Sequence, residues 1–156
     1  MRLLPQSQPF IDVRIVDHPV AMIALDGFPA DAGGECVFLG RTRLEVHPQL
    51  GRLAKLSYET YREMAEGVLR DLAIQATDRF GCLAVRVHHA TGDVPVGQAS
   101  VLVQVACGHR DKAFEACRFL IDRLKTDAPI WKREVWERGE TWSQAATAVQ
   151  MESKSE

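Results

Sequence analysis

Basic side chains collect at the ends of predicted elements: Arg41, Arg43, His109, Arg110, Lys125, Lys132 and Arg133. Such residues could hold a phosphate or a carboxylate. His109 and Arg110 follow Gly108 at the predicted start of a helix, where free N–H groups and a partial positive charge already favour an anion. A guanidinium beside them adds paired, charge-assisted donors. The plainer reading of these two is a pair of solvated residues at a strand–helix corner. Lys125 ends the same helix, and Lys132 lies beyond Pro129. Taken singly, Lys125 complements the helix C-terminus and Lys132 is an exposed strand lysine. If the Pro129 turn folds both onto one pocket, repulsion between the ammonium groups favours loss of one proton. A neutral lysine can then serve as base or nucleophile. Lys55, in a predicted strand, has no such role.

Other chemistries find little support. The phosphate loop G-x-x-x-x-G-K-[ST], the nucleophile elbow G-x-S-x-G and the zinc motif H-E-x-x-H are absent from the sequence. His88-His89 could suggest a metal, but adjacent strand residues face opposite ways and no Cys, Asp or Glu stands at matching spacing; no metal site is expected. Tyr58, Tyr61, Trp131, Trp136 and Trp142 could stack on a planar ligand, although packing is the commoner use. Cys36, Cys82, Cys107 and Cys117 form no C-x-x-C pair, which argues for free thiols in a reducing compartment, hence the cytoplasm. A net charge of -2 argues against general nucleic-acid binding. No apolar run approaches the roughly 20 residues that cross a bilayer, and Met1 to Phe10 lacks the apolar stretch of a secretory signal.

The elements that must position these residues follow from periodicity. Alternation predicts strands over 11–16, 35–40, 53–58 (returning after a loop at His47-Pro48 and Gly51), 83–88, 99–107 and 130–136. A short helix is expected from Pro19 to Leu25, and a loop from Gly92 to Gly97. Helical spacing predicts 61–80, with Tyr61, Met64, Ala65, Val68, Leu72, Ala76 and Phe80 on one face and Gly81 as the stop. A second helix is predicted over 110–125, with Ala113, Phe114, Cys117, Leu120, Ile121 and Leu124 inward and Pro129 as the breaker. Arg138-Gly139-Glu140 is a turn before a short return at Thr141-Trp142. With 156 residues, one domain over 1–145 and a polar, flexible tail over 146–156 are expected. The class is α+β, a mixed or antiparallel sheet with two long amphipathic helices.

Four blocks make the chain resemble the molybdopterin synthase catalytic (large) subunit family: Val37-Phe-Leu-Gly-Arg-Thr-Arg43, Leu56-Ser-Tyr-Glu-Thr-Tyr-Arg-Glu-Met-Ala65, His109-Arg-Asp-Lys-Ala-Phe-Glu-Ala-Cys-Arg118 and Ile121-Asp-Arg-Leu-Lys-Thr-Asp-Ala-Pro-Ile-Trp-Lys-Arg-Glu134. The pattern Leu-Lys-x-x-x-Pro-x-Trp-Lys is the most specific. The resemblance implies an α/β-hammerhead type fold and a homodimer within a heterotetramer. The partner it implies is a small ubiquitin-like sulfur carrier ending in a Gly-Gly thiocarboxylate. The implied substrate is cyclic pyranopterin monophosphate, converted to the dithiolene of molybdopterin in molybdenum cofactor biosynthesis, with no cofactor. It implies Lys125 and Lys132 as catalytic residues. The substrate site is implied to contain Arg41, Thr42, Arg43, His109, Arg110, Lys125, Lys132, Arg133 and Glu134, with His109 and Arg110 supplied by the other protomer. Two departures stand out: His89-Ala-Thr-Gly92 carries Ala90 where the family often has Arg, and the loop 44–52 lacks a common Asn. The alternating 99–107 strand could extend a sheet across a dimer two-fold. A rival reading is a non-catalytic dimeric module that holds an anionic ligand or a Gly-Gly tail. Another is a different acyl- or phosphoryl-transferase; missing magnesium-binding acidic motifs weigh against phosphoryl transfer.

Overall fold

Every strand expected from alternation forms, and so do both long helices. In the computed structural model, which describes residues 7–143, the order is β1 (Phe10–Val16), β2 (Gly34–Arg41), β3 (Val46–His47), β4 (Gly51–Thr60), α1 (Arg62–Phe80), β5 (Ala84–Ala90), β6 (Gly92–Pro95), β7 (Ala99–Cys107), α2 (Arg110–Asp127), β8 (Ile130–Trp136) and β9 (Gly139–Trp142). One sheet runs β1-β5-β7-β2, with β1 parallel to β5 and the other pairs antiparallel. In the second, β4 pairs antiparallel with β3, β6 and β8, and β8 with β9. This is the expected α+β architecture.

The helices cover one face of the first sheet. Val85 and Val87 of β5 and Val101, Val103 and Val105 of β7 meet Ala65, Leu69, Leu72, Ala73 and Ala76 of α1 and Ala113, Ala116, Cys117, Leu120 and Leu124 of α2. Burying a leucine such as Leu120, 1% exposed, contributes about 1.5–3 kcal/mol. Gly81 ends α1 in the left-handed region at φ 68°, its N–H donating to the Thr77 carbonyl, a conformation that costs glycine little. Pro129 disfavours helix at the residue before it, and Ala128 is extended at φ -78°, ψ 135°. Gly34 sits so close to the start of α2 that a Cβ there would lie 2.9 Å from the Arg110 backbone.

The opposite face of that sheet carries a buried polar network. The Asp12 carboxylate accepts from Arg86 Nε at 2.8 Å and His88 Nε2 at 2.9 Å. Arg86 also donates to the carbonyls of Ile23 (3.1 Å) and Ala24 (3.3 Å) and to Gln104 (3.2 Å), and Gln104 donates to Glu35 at 2.6 Å. Burial pushes the Asp12 carboxyl up, but hydrogen bonds from Arg86, His88 and Arg14 outweigh it and hold the group below its usual range. Burial wins at His88, which lies below its ordinary value despite Asp12.

Several expectations need correction. No helix forms over 19–25: Val20 pairs with Ala99, and the Ile23 and Ala24 carbonyls are given to Arg86, whereas a helix would turn them to its own amides. The expected 92–97 loop begins as β6, paired to β4 from Leu56↔Val94 to Tyr58↔Gly92. The 53–58 strand does not return along β2; it opens the second sheet. On α1, Tyr61 and Met64 are exposed and Leu69 and Ala73 buried; on α2, Phe114 is exposed and Ala116 buried. Each helix is thus turned so that small residues meet the sheet. Lys55 is not idle, since its Nζ pairs with Asp93 at 2.6 Å and ties β4 to β6. β7 lies between β5 and β2 and so has no edge for a second protomer. All four cysteines are free thiols, and no helix among the described residues is long and apolar enough to cross a membrane.

Candidate active site

The break at Ala128–Pro129 turns the chain from α2 into β8, and Lys125 and Lys132 consequently line one cavity of about 200 Å³, together with Arg41. In β8, alternation sends Ile130 and Lys132 to the cavity. The two residues between and after them face away: Trp131 packs edge-on against Tyr61 at 5.6 Å, and Arg133 pairs with Glu140 at 3.4 Å and lies 5.9 Å over Trp142. Arg41 comes from the other sheet. A bulge in β2 between Gly40 and Arg41 re-aims the chain there, as bulges near functional sites do.

The polar wall of the cavity is uncharged. Tyr58 is the cross-strand partner of Lys132. Its hydroxyl donates to Ser100 Oγ at 3.0 Å, and Ser100 donates to the Gly40 carbonyl at 3.4 Å. Burial pushes the Tyr58 hydroxyl up against that bond, so the phenol keeps its proton. His89 donates from Nδ1 to the Ala90 carbonyl at 2.6 Å and stands edge-on to the Tyr58 ring at 5.0 Å. Burial pushes His89 down to about 4, a shift the Ala90 bond only partly opposes; the imidazole is neutral near pH 7. The residues around the cavity include Arg41, Lys125 and Lys132 and no Asp or Glu. Fixed cations against neutral acceptors and an apolar wall suit an anion that gains charge as it reacts.

A family model described as MoaE protein matches residues 15–127. The chain belongs to the MoaE protein family. It is similar to the molybdopterin synthase catalytic subunit of Pyrococcus abyssi, 38% identical over 128 residues, covering 81% of this chain and 82% of that one. The crystal structure of molybdopterin synthase from Staphylococcus aureus superposes with a TM-score of 0.74 at 29% identity, covering 83% of this chain and 95% of that one. A complex of subunits 1 and 2 of the molybdopterin-converting factor from Helicobacter pylori shares the fold, with a TM-score of 0.67 at 23% identity and 86% and 92% of the two chains covered.

Within one protomer of this MoaE-family chain, the remaining residues of the expected site lie elsewhere. Thr42 is 1% exposed and donates to the Val94 carbonyl at 3.0 Å, which fastens β6. Arg43 is exposed and pairs with Glu45 at 2.8 Å. His109 caps α2 and Arg110 opens it, one helix length from Lys125, roughly 25 Å at 1.5 Å per residue. Arg133 faces away, and Glu134 accepts from Thr141 at 2.7 Å, whose hydroxyl oxygen takes the Trp136 indole N–H. Sequence reasoning placed Tyr58 among possible stacking residues and weighed His89 as a metal ligand and as the first residue of the His89-Ala-Thr-Gly92 match, without giving it a role in the site; Ser100 escaped it. The available signal was parity: Val85, Val87 and His89 share one face of β5, and only the other His of the pair joins Asp12.

Proposed function

We propose that this chain is the catalytic large subunit of a molybdopterin synthase, acting as a sulfurtransferase in the cytoplasm. It takes sulfur from the C-terminal thiocarboxylate of a small ubiquitin-like carrier ending in Gly-Gly and adds it to cyclic pyranopterin monophosphate to build the dithiolene. The supporting observation is the meeting of Lys125 and Lys132 with Arg41 in one cavity free of carboxylates. The thiocarboxylate is already a strong nucleophile. The pocket's tasks are alignment, proton transfer by a lysine and charge stabilisation as the cyclic phosphate opens. Four free thiols fit a reducing compartment. Incubating the chain with thiocarboxylated carrier and the pterin precursor tests the reading; molybdopterin is the expected product, and binding without conversion would favour a non-catalytic module.

The reading includes a second protomer whose His109 and Arg110, with Arg43 at the rim, complete the substrate site of a heterotetramer, while Thr42, Arg133 and Glu134 brace the strands from outside the cavity. The fold it shares with a protein solved as a two-subunit complex supports a carrier partner. A dimer is expected by light scattering at micromolar concentration without the carrier, and a monomer there would sink the shared site. Deleting the carrier's terminal Gly-Gly should weaken binding at least tenfold by calorimetry. Unchanged affinity would show that the tail does not enter this chain.

A further inference from the structure

We propose that His89 is a specificity residue of the cavity: its Nε2 accepts a hydrogen bond from the last main-chain N–H of a peptide end whose terminal anion lies at Lys125 and Lys132. The proposal rests on the reading of this cavity as the receiver of the carrier's tail and names the group that would recognise that tail as a peptide. Nothing in the resemblance or in the relatives assigns His89 a role.

The ring's two edges are distinguishable. The Ala90 carbonyl can only accept, so Nδ1 carries the hydrogen and Nε2 presents a lone pair, without a hydrogen-bond partner among the described residues. His89 is 5% exposed and borders the cavity. The edge contact with Tyr58 and the 2.6 Å bond to Ala90 hold the ring in one orientation. His88, turned to Asp12, takes no part. Burial keeps His89 neutral near pH 7, so the acceptor is retained there.

The shape of the cavity chooses the occupant. At about 200 Å³ it is smaller than the roughly 300–1,000 Å³ of ordinary small-molecule pockets. That volume admits a slender chain end. A free phosphate or a simple carboxylate would satisfy the cations and leave the Nε2 lone pair without a matching donor. A peptide end supplies both complements, an anion at its last carbon and an N–H donor two atoms before it, and two terminal glycines bring no Cβ to the apolar wall. An acceptor on a largely buried ring discriminates against a ligand that lacks the matching donor.

The test is calorimetric titration with a synthetic peptide ending in Gly-Gly and with its analogue in which the last amide is an ester, which removes the N–H alone. Wild type should bind the amide about tenfold or more tighter than the ester, a difference of about 1.4 kcal/mol. His89→Asn keeps a donor near the Nδ1 position and loses the acceptor at Nε2. It should bind the amide about as weakly as wild type binds the ester and should no longer discriminate. His89→Gln places an amide oxygen near Nε2 and should recover discrimination. A residue that only packs would give the reverse: His89→Asn close to wild type, His89→Gln impaired with a lowered melting point. Equal binding of the two peptides by wild type, no binding of either, or discrimination surviving in His89→Asn each overturns the proposal. Turnover with the thiocarboxylated carrier is measured separately. Discrimination without turnover would uphold His89 and overturn sulfur transfer, and turnover without discrimination would do the opposite.

Discussion

Lys125→Ala is expected to lower product formation by on the order of 10²-fold or more while moving the melting point by only a few degrees. The side chain is exposed on the last turn of α2, beside the packed stripe of Ala113, Ala116, Cys117, Leu120 and Leu124 but outside it, so truncation opens no core cavity. Losing its favourable interaction with the helix C-terminus costs about 0.3–1 kcal/mol. Losing a proton carrier or a fixed charge at the reacting phosphate costs far more in rate. Lys132→Ala should behave similarly, with a larger rise in KM, because it stands across from Tyr58 on the cavity wall. The suitable control is Lys112→Ala. Lys112 is also on α2, and its exposed pair with Glu115 at 3.0 Å is the kind that contributes little; Lys55 would be a poor control because it holds Asp93. Near-normal turnover in Lys125→Ala, with saturating thiocarboxylated carrier, would remove that lysine from the mechanism. Lost turnover with a melting point lower by tens of degrees would make it structural.

Acid should loosen the fold well before ordinary carboxylates titrate. His89 lies at about 4 in the folded chain against an ordinary value of 6.5, so between those pH values the unfolded chain takes up a proton that the folded one refuses. The stability linked to this residue is complete above about pH 6.5 and is lost as pH falls toward 4, amounting to roughly 3 kcal/mol at about 1.4 kcal/mol per unit. His88, also lowered, acts in the same sense. Asp12, held below its usual range, continues the loss at still lower pH, where its carboxylate is protonated and its bonds from Arg86 and His88 weaken. Urea titrations at pH 7.5 and 4.5 should show this decline, and His89→Asn should remove most of the His89 share. A free energy of unfolding that is flat over this range in wild type would show that His89 takes up its proton without unfolding the chain.

The elements were legible because their signals were local. Val101, Val103 and Val105 alternate within one strand, Gly81 takes the backbone conformation its position requires, and Pro129 stops α2 on its own. The extended 19–25 segment was not legible, because its carbonyls are claimed by Arg86, a residue more than sixty positions away. The inward stripes were misplaced at Phe114 and Met64 for a related reason: hydrophobicity favours the large side chain, whereas close contact with the sheet selects Ala116 and Ala73. At the site, the lysine pair could be anticipated from the proline between them. Tyr58, His89 and Ser100 come from three different strands, and only the pairing of those strands brings their side chains to the two lysines.

The Pro129 turn also limits which changes in chain length the gene can absorb. Because β8 alternates, one residue inserted between Pro129 and Lys132 with the downstream ladder retained would move Lys132 and Ile130 relative to the helix end, and one inserted with the ladder slipping by a single step would exchange faces, turning Arg133 inward and Lys132 outward. Either event keeps every residue type and spoils the site. The stretch from Lys125 to Lys132 therefore works as a ruler whose length, as much as its composition, decides whether the two lysines meet.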